Sequence, residues 1–156
     1  MKKIHLMYKV NVVVQEKKWR QQVPNINKIL NKNFEIVFSN LKNFKNKNLE
    51  VTILLTNTKN MKLLNKKFRN IFKDTDVLSF PNYKKKFFLQ KKLVKNLYLG
   101  DLALSFEYIK KQQMNFLDYL HKIYVHGCLH LIGYKHNNDA NYKIMNALEK
   151  KILNKI

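Results

Sequence analysis

The stretch His126-Gly127-Cys128-Leu129-His130-Leu131-Ile132-Gly133-Tyr134-Lys135-His136 sets the register of the second half of the chain and nominates its chemistry. Residues four apart on a helix share one face, one turn apart, so the imidazoles of His126 and His130 can reach the same ion. Gly133 marks the helix end, because glycine enters the left-handed conformation with which helices commonly stop. The bend it allows brings His136 back toward the first two. Three protein ligands leave a fourth position open, which predicts one zinc ion per chain of the catalytic kind rather than a closed structural site.

The spacing matches the metzincin protease pattern, His-Glu-x-x-His-x-x-Gly-x-x-His, except that Gly127 stands where the protease carries its glutamate base. A peptidase would lack its proton acceptor, so another use of the same three-ligand geometry is expected. Helix geometry also sorts the neighbours. At about 100° per residue, His126 and His130 lie ~40° apart, whereas His121 and Cys128 point ~140° and ~160° away from His126. Those two join Leu117, Leu120, Tyr124 and Leu131 on an apolar stripe. Cys128 is therefore expected in the core and His121 at its edge.

Outward from this helix, placed over about Phe116 to Ile132, the chain divides into short elements. Upstream, Tyr98 to Ser105, interrupted by Gly100, is a strand leading into a helix around Phe106 to Gln113. Earlier still, Tyr8 to Gln15 carries the β-branched run Val12-Val13-Val14, and Leu49 to Thr56 is rich in Val, Ile and Leu; both are strands. Between them Trp19 is a packing anchor in a polar connector. A helix from Pro24 shows Ile26, Ile29, Leu30, Phe34, Val37, Phe38 and Leu41 at helical spacing, with the proline in its first turn. Lys42 to Asn48 is a loop.

Asn57 or Thr58 caps a helix to about Arg69 with Met61, Leu64 and Phe68 on one face. Asp76-Val77-Leu78-Ser79-Phe80 is a strand stopped by Pro81. A lysine-rich loop with the rings of Phe87 and Phe88 follows, up to Asn96. The last helix, about Asp139 to Leu153, presents Ile144, Met145, Leu148 and Ile152 to the core. Strands and helices alternate early and helices cluster late. The expected fold is α+β, one domain over residues 1–156, with about four strands in a mixed sheet covered by helices and the zinc site at a helix end.

Thirty-one Lys and Arg against ten Asp and Glu give a formal charge of +21. That excess favours a polyanionic partner, with nucleic acid foremost, through counterion release and steering. A compositional reading competes with it, since Lys and Asn are scattered through nearly every segment as an AT-rich coding sequence would scatter them. The single cysteine excludes an internal disulfide, Met1-Lys2-Lys3 leads into no apolar signal core, and no apolar run spans a membrane. A cytoplasmic protein without a membrane partner is expected.

Three segments together resemble a known family, the YbeY-type bacterial endoribonucleases implicated in ribosomal RNA maturation. The histidine stretch matches the family's zinc motif almost position for position. Leu64-Asn65 with Arg69 and Thr75-Asp76-Val77-Leu78-Ser79-Phe80-Pro81 resembles its second signature, and Leu99-Gly100-Asp101 its third. The resemblance implies zinc on His126, His130 and His136, with Arg69 in the functional cleft. It also implies action on RNA, including processing near the 3′ end of small-subunit ribosomal RNA, and association with the ribosome or its small subunit. One position departs: Lys135 stands where relatives usually carry aspartate before the third histidine, and a lysine cannot accept a histidine N–H.

The expected activity is zinc-dependent, single-strand-specific cleavage of RNA, with the ion polarising a phosphoryl oxygen and Arg69 gripping phosphate through its planar fork. Asp76 and Asp101 are secondary candidates as orienters or bases, each beside a turn where it can instead cap backbone groups. Two other readings stand beside the leading one. One is a ribosome-biogenesis factor that binds RNA and uses zinc structurally; the other is a different zinc hydrolase.

Overall fold

The computed structural model describes residues 7–90 and 94–156; Met1-Lys2-Lys3 and part of the lysine-rich stretch before Asn96 lie outside them. The elements are β1 (Tyr8–Val14), α1 (Lys18–Gln22), α2 (Ile26–Ser39), β2 (Asn48–Thr56), α3 (Thr58–Arg69), β3 (Val77–Pro81), α4 (Lys85–Phe88), β4 (Asn96–Ser105), α5 (Phe106–Lys110), α6 (Phe116–Leu131) and α7 (Asp139–Leu153). The strands form one sheet in the order β1-β2-β4-β3. β1, β2 and β4 run parallel, and β3 is antiparallel to β4. This is the α+β, single-domain, mixed four-stranded architecture that the sequence predicts.

Alternation along the central strand assigns the two faces of the sheet. Leu49, Val51, Ile53 and Leu55 of β2 are fully buried or nearly so, in one cluster with Phe34 and Phe38 of α2 and with Tyr124 and Cys128 of α6. The intervening residues face the other way, where Met61 of α3 packs with Leu78 of β3 and Ala103 of β4 in a small second cluster. Strand β4 keeps its apolar residues on the main core only by changing phase. Leu97 and Leu99 precede Gly100, Leu102 and Leu104 follow it, and the register against β2 shifts between Glu50 and Val51. The inserted residue is a bulge, without which Leu102 and Leu104 would face the opposite side. Gly100 permits it: φ is +128°, and a Cβ there would lie 2.2 Å from the Phe80 carbonyl oxygen.

Several local readings are corrected. The connector holding Trp19 contains the short helix α1, and Trp19 is fully buried, its indole N–H donating to the Thr56 carbonyl at 2.9 Å. Pro24 precedes the Asn25 cap of α2 rather than occupying its first turn, and the helix stops at Ser39. The predicted loop after it includes a 3₁₀ turn at Lys42–Phe44 that buries Phe44. Pro81 closes β3 instead of stopping it one residue earlier, and α5 is shorter than predicted. In the lysine-rich loop Phe88 is buried within the short helix α4, and Phe87 stacks on Tyr83. Phe68 is 56% exposed, its ring packing edge-on against Phe80 at the rim of the second cluster. Ile144 is 58% exposed, because the buried stripe of α7 runs through Met145 and Ile152 and position 144 turns about 100° away from it.

Candidate metal centre

Helix α6 begins where Asn115 caps it, the side-chain oxygen accepting from Leu117 N–H at 2.9 Å. Its end is a Schellman motif: Gly133 N–H bonds the His130 carbonyl at 3.0 Å and Tyr134 N–H the Leu129 carbonyl at 3.1 Å. Gly133 has φ +93°, and an added Cβ would lie 2.7 Å from Lys85 Cβ. The reversal carries His136 back over the helix end. One ligand atom from each of His126, His130 and His136 then lies within 4.8 Å of the others.

Hydrogen bonds behind the rings fix how the histidines face one another. His126 Nδ1 lies 2.5 Å from Glu149 Oε1, and His130 Nδ1 lies 2.8 Å from the Tyr134 carbonyl oxygen. A carboxylate and a carbonyl only accept, so each Nδ1 carries a proton, and this is the tautomer whose Nε2 lone pair can face an ion. The two Nε2 atoms are 2.9 Å apart. With both rings neutral, two lone pairs would face each other across that gap, an arrangement a shared cation would stabilise. Burial, with the nearby His126 ring adding to it, lowers the His130 pKa to about 4, so this ring is held in the neutral form that binds metals. The donor set therefore fits a divalent ion that accepts nitrogen ligands.

Behind His126, Glu149 reaches in from α7, on the same side as Met145 and Ile152. The sequence reading missed it. A signal was present, because Glu149 interrupts the apolar stripe of the last helix, and a carboxylate on a buried stripe requires a partner. Replacing Glu149 with glutamine keeps the shape and removes the charge. Zinc affinity, read by competition with a chromophoric chelator, is expected to fall about 10- to 100-fold. Unchanged affinity would mean that the carboxylate does not orient His126.

The histidines sit at the wall of a cleft of about 290 Å³ that is also lined by Arg69, Thr75, Asp76, Val77 and Ser79. Arg69 ends α3, exposed, just before Asn70 turns the chain into the left-handed conformation at φ 58°. Asp76 belongs to the cleft as well, but both its oxygens are engaged. Oδ1 accepts from Val77 N–H at 2.7 Å, and Oδ2 from the Tyr119 hydroxyl at 2.8 Å. Burial and this carboxylate push the Tyr119 phenol upward, so it remains a donor. Asp101 is elsewhere: it bonds Tyr98 and lines an apolar recess on the opposite face of the sheet. Lys135 is exposed beside His136.

Two further predictions about α6 can be compared directly. Cys128 is fully buried and its thiol pKa is raised by burial, as suits a core residue. His121 is half-buried with Nδ1 2.6 Å from Asn33 Nδ2, at the core edge. Gly127, in the place of the protease glutamate, presses α6 against the sheet: an added Cβ would meet Val77 and Leu102 side chains at 3.1 Å. A glutamate there would point into packed apolar side chains, away from any substrate.

Comparison with known proteins gives a consistent result. Residues 12–156 match the model of the family described as endoribonuclease YbeY. A relative from Pelagibacter ubique, named endoribonuclease YbeY, is 38% identical over 143 residues, covering 89% of this chain and 90% of its own. The solution structure of the Thermotoga maritima protein TM1509 superposes with a TM-score of 0.57 at 25% identity, covering 92% of this chain and 86% of that one. With the family model matching residues 12–156 and a 38% identical relative aligned over nearly the whole length of both chains, the chain belongs to the endoribonuclease YbeY family.

Proposed function

We propose that the protein is a zinc-dependent, single-strand-specific endoribonuclease, formed as one domain over residues 1–156. The observation that carries this reading is the convergence of three imidazole nitrogens beside Arg69 in one cleft. Kinship with a protein named endoribonuclease YbeY supports RNA as the substrate, and the charge of +21 suits a polyanion. Ribosomal RNA, including the 3′ end of the small-subunit RNA, is the substrate the family resemblance favours. The setting would be the cytoplasm, in association with the ribosome or its small subunit. No helix among the described residues is long and apolar enough to cross a membrane.

His126, His130 and His136 would hold the ion, with Glu149 and the Tyr134 carbonyl keeping two of the rings in the binding orientation. When bound, zinc supplies Lewis acidity, polarising a phosphoryl oxygen and acidifying water. Arg69 offers a planar, permanently charged fork that can hold a phosphate in two-point contact beside the histidines. Asp76, tied to Tyr119 and to the Val77 amide, would serve as a fixed part of the cleft lining.

Protein purified without a histidine tag is expected to contain about one zinc per chain, in keeping with a single three-ligand site. RNA cleavage should disappear on chelation and return on adding zinc. Folded, metal-free protein that cleaves RNA as well as the untreated sample would overturn the proposal.

A further inference from the structure

Arg69 is joined to Thr75 and Asp76, which line the same cleft, by a loop whose backbone is pinned and whose largest apolar side chains nevertheless face solvent. The pinning residue is Asn65, buried in α3. Its Nδ2 donates to the Lys73 carbonyl at 2.9 Å, and its backbone carbonyl accepts from Ile71 N–H at 3.4 Å. Further along, the Thr58 hydroxyl donates to Asp74 Oδ2 at 2.6 Å. Between these ties Phe72 is 65% exposed and Ile71 49% exposed. Burying them would be favourable, so an ordered loop that holds them outward is shaped for an occupant.

Position and charge indicate the occupant. Phe72 lies three residues from both Arg69 and Thr75, which line the cleft. Consecutive Cα atoms are about 3.8 Å apart, so its Cα is within about 11 Å of each. Lys66, Lys67, Arg69 and Lys73 surround it in sequence, all exposed. An exposed ring among cations is how proteins bind single-stranded nucleic acid: aromatic faces stack on bases while cations follow the backbone. A base inside a duplex has both faces occupied and offers nothing to such a ring.

We propose that Phe72, flanked by Ile71, is a stacking subsite for an unpaired base of the RNA whose phosphate lies at Arg69. The inference rests on the ribonuclease reading above and assigns part of its single-strand preference to one side chain. The ring supplies a sequence-tolerant contact, since every base has a π face.

The test measures binding of the zinc-loaded, full-length protein to a single-stranded 2′-O-methyl RNA, with abasic sites introduced one position at a time. In the parent protein one abasic position should weaken binding roughly 5- to 150-fold. Phe72→Ala should lose about the same factor and become indifferent to that abasic position, as a double-mutant cycle requires of partners. Phe72→Trp should keep the affinity, whereas Phe72→Leu, apolar but without a π face, should not. The salt dependence of binding should keep its slope in all three, because no phosphate contact is removed. Thermal midpoints should match that of the parent, since the side chain is exposed. If the parent binds RNA and Phe72→Ala binds it equally well, the stacking assignment is wrong. If the parent binds no RNA, the ribonuclease reading fails first and the subsite with it.

Discussion

Replacing His130 with alanine is expected to lower zinc affinity by more than about a hundredfold and RNA cleavage by about a thousandfold, while the chain stays folded. The first figure follows from the roughly 10–16 kcal/mol of a structural zinc site, which spread over four ligands is about 3 kcal/mol each. The second follows from withdrawing Lewis acidity worth several kcal/mol in the transition state. The fold should survive because the imidazole is a half-buried side chain at the cleft whose one backbone partner, the Tyr134 carbonyl, costs about 1–3 kcal/mol to leave unpaired. Metal content, circular dichroism, RNA affinity and cleavage should be measured on one preparation. Lost cleavage with intact folding and RNA binding supports the enzyme. Unchanged cleavage would show that the histidine cluster does not carry the reaction and would leave its ion a structural role.

Substituting Gly133 by alanine should damage both stability and the metal centre, although position 133 contributes no ligand. The backbone at φ +93° costs an L-residue about 1–2 kcal/mol. An added Cβ would also stand 2.7, 2.8 and 2.9 Å from Lys85 Cβ, Cγ and Cα, and the last of these is backbone that cannot swing away. Together these suggest a loss of about 2–4 kcal/mol, or about 5–15 °C in thermal midpoint for a chain of this size. Relaxing the turn would shift Tyr134, whose carbonyl orients His130, and His136 three residues beyond the glycine. Zinc affinity should therefore fall with stability. A variant that melts with the parent and binds zinc equally well would show that the left-handed turn does not position the third histidine.

What could be read from the sequence was mostly local. The span of α6, its close at Gly133 and the burial of Cys128 follow from a 3.6-residue period and one left-handed glycine, so spacing alone was enough. The strands also stood out, because β-branched runs between polar connectors have few other uses. Tertiary choices were less accessible. Glu149 and His126 are 23 residues apart and meet only because α7 folds back along α6. Phe68 has helical spacing from Met61 and Leu64, yet α3 covers only part of its sheet face and leaves the last ring at the rim. Ile144 and Met145 are equally apolar neighbours, and only docking decides which turns inward. Asp76 proved to be two of the things a turn aspartate can be: a local cap through one oxygen and a cleft wall through the other. Asp101, with the same promise in sequence, sits across the sheet because the bulge at Gly100 sets its face.

The contact between Glu149 and His126 has a consequence beyond ligand geometry. His136 is the last of the three candidate ligands, whereas this carboxylate belongs to the following helix, so ion capture at these histidines would draw on the same interaction as the docking of α7. By reciprocity, whatever an ion adds to the hold on α7, an undocked α7 subtracts from the hold on the ion. Fraying of that helix would then loosen the hold on an ion without any change at the three histidines themselves.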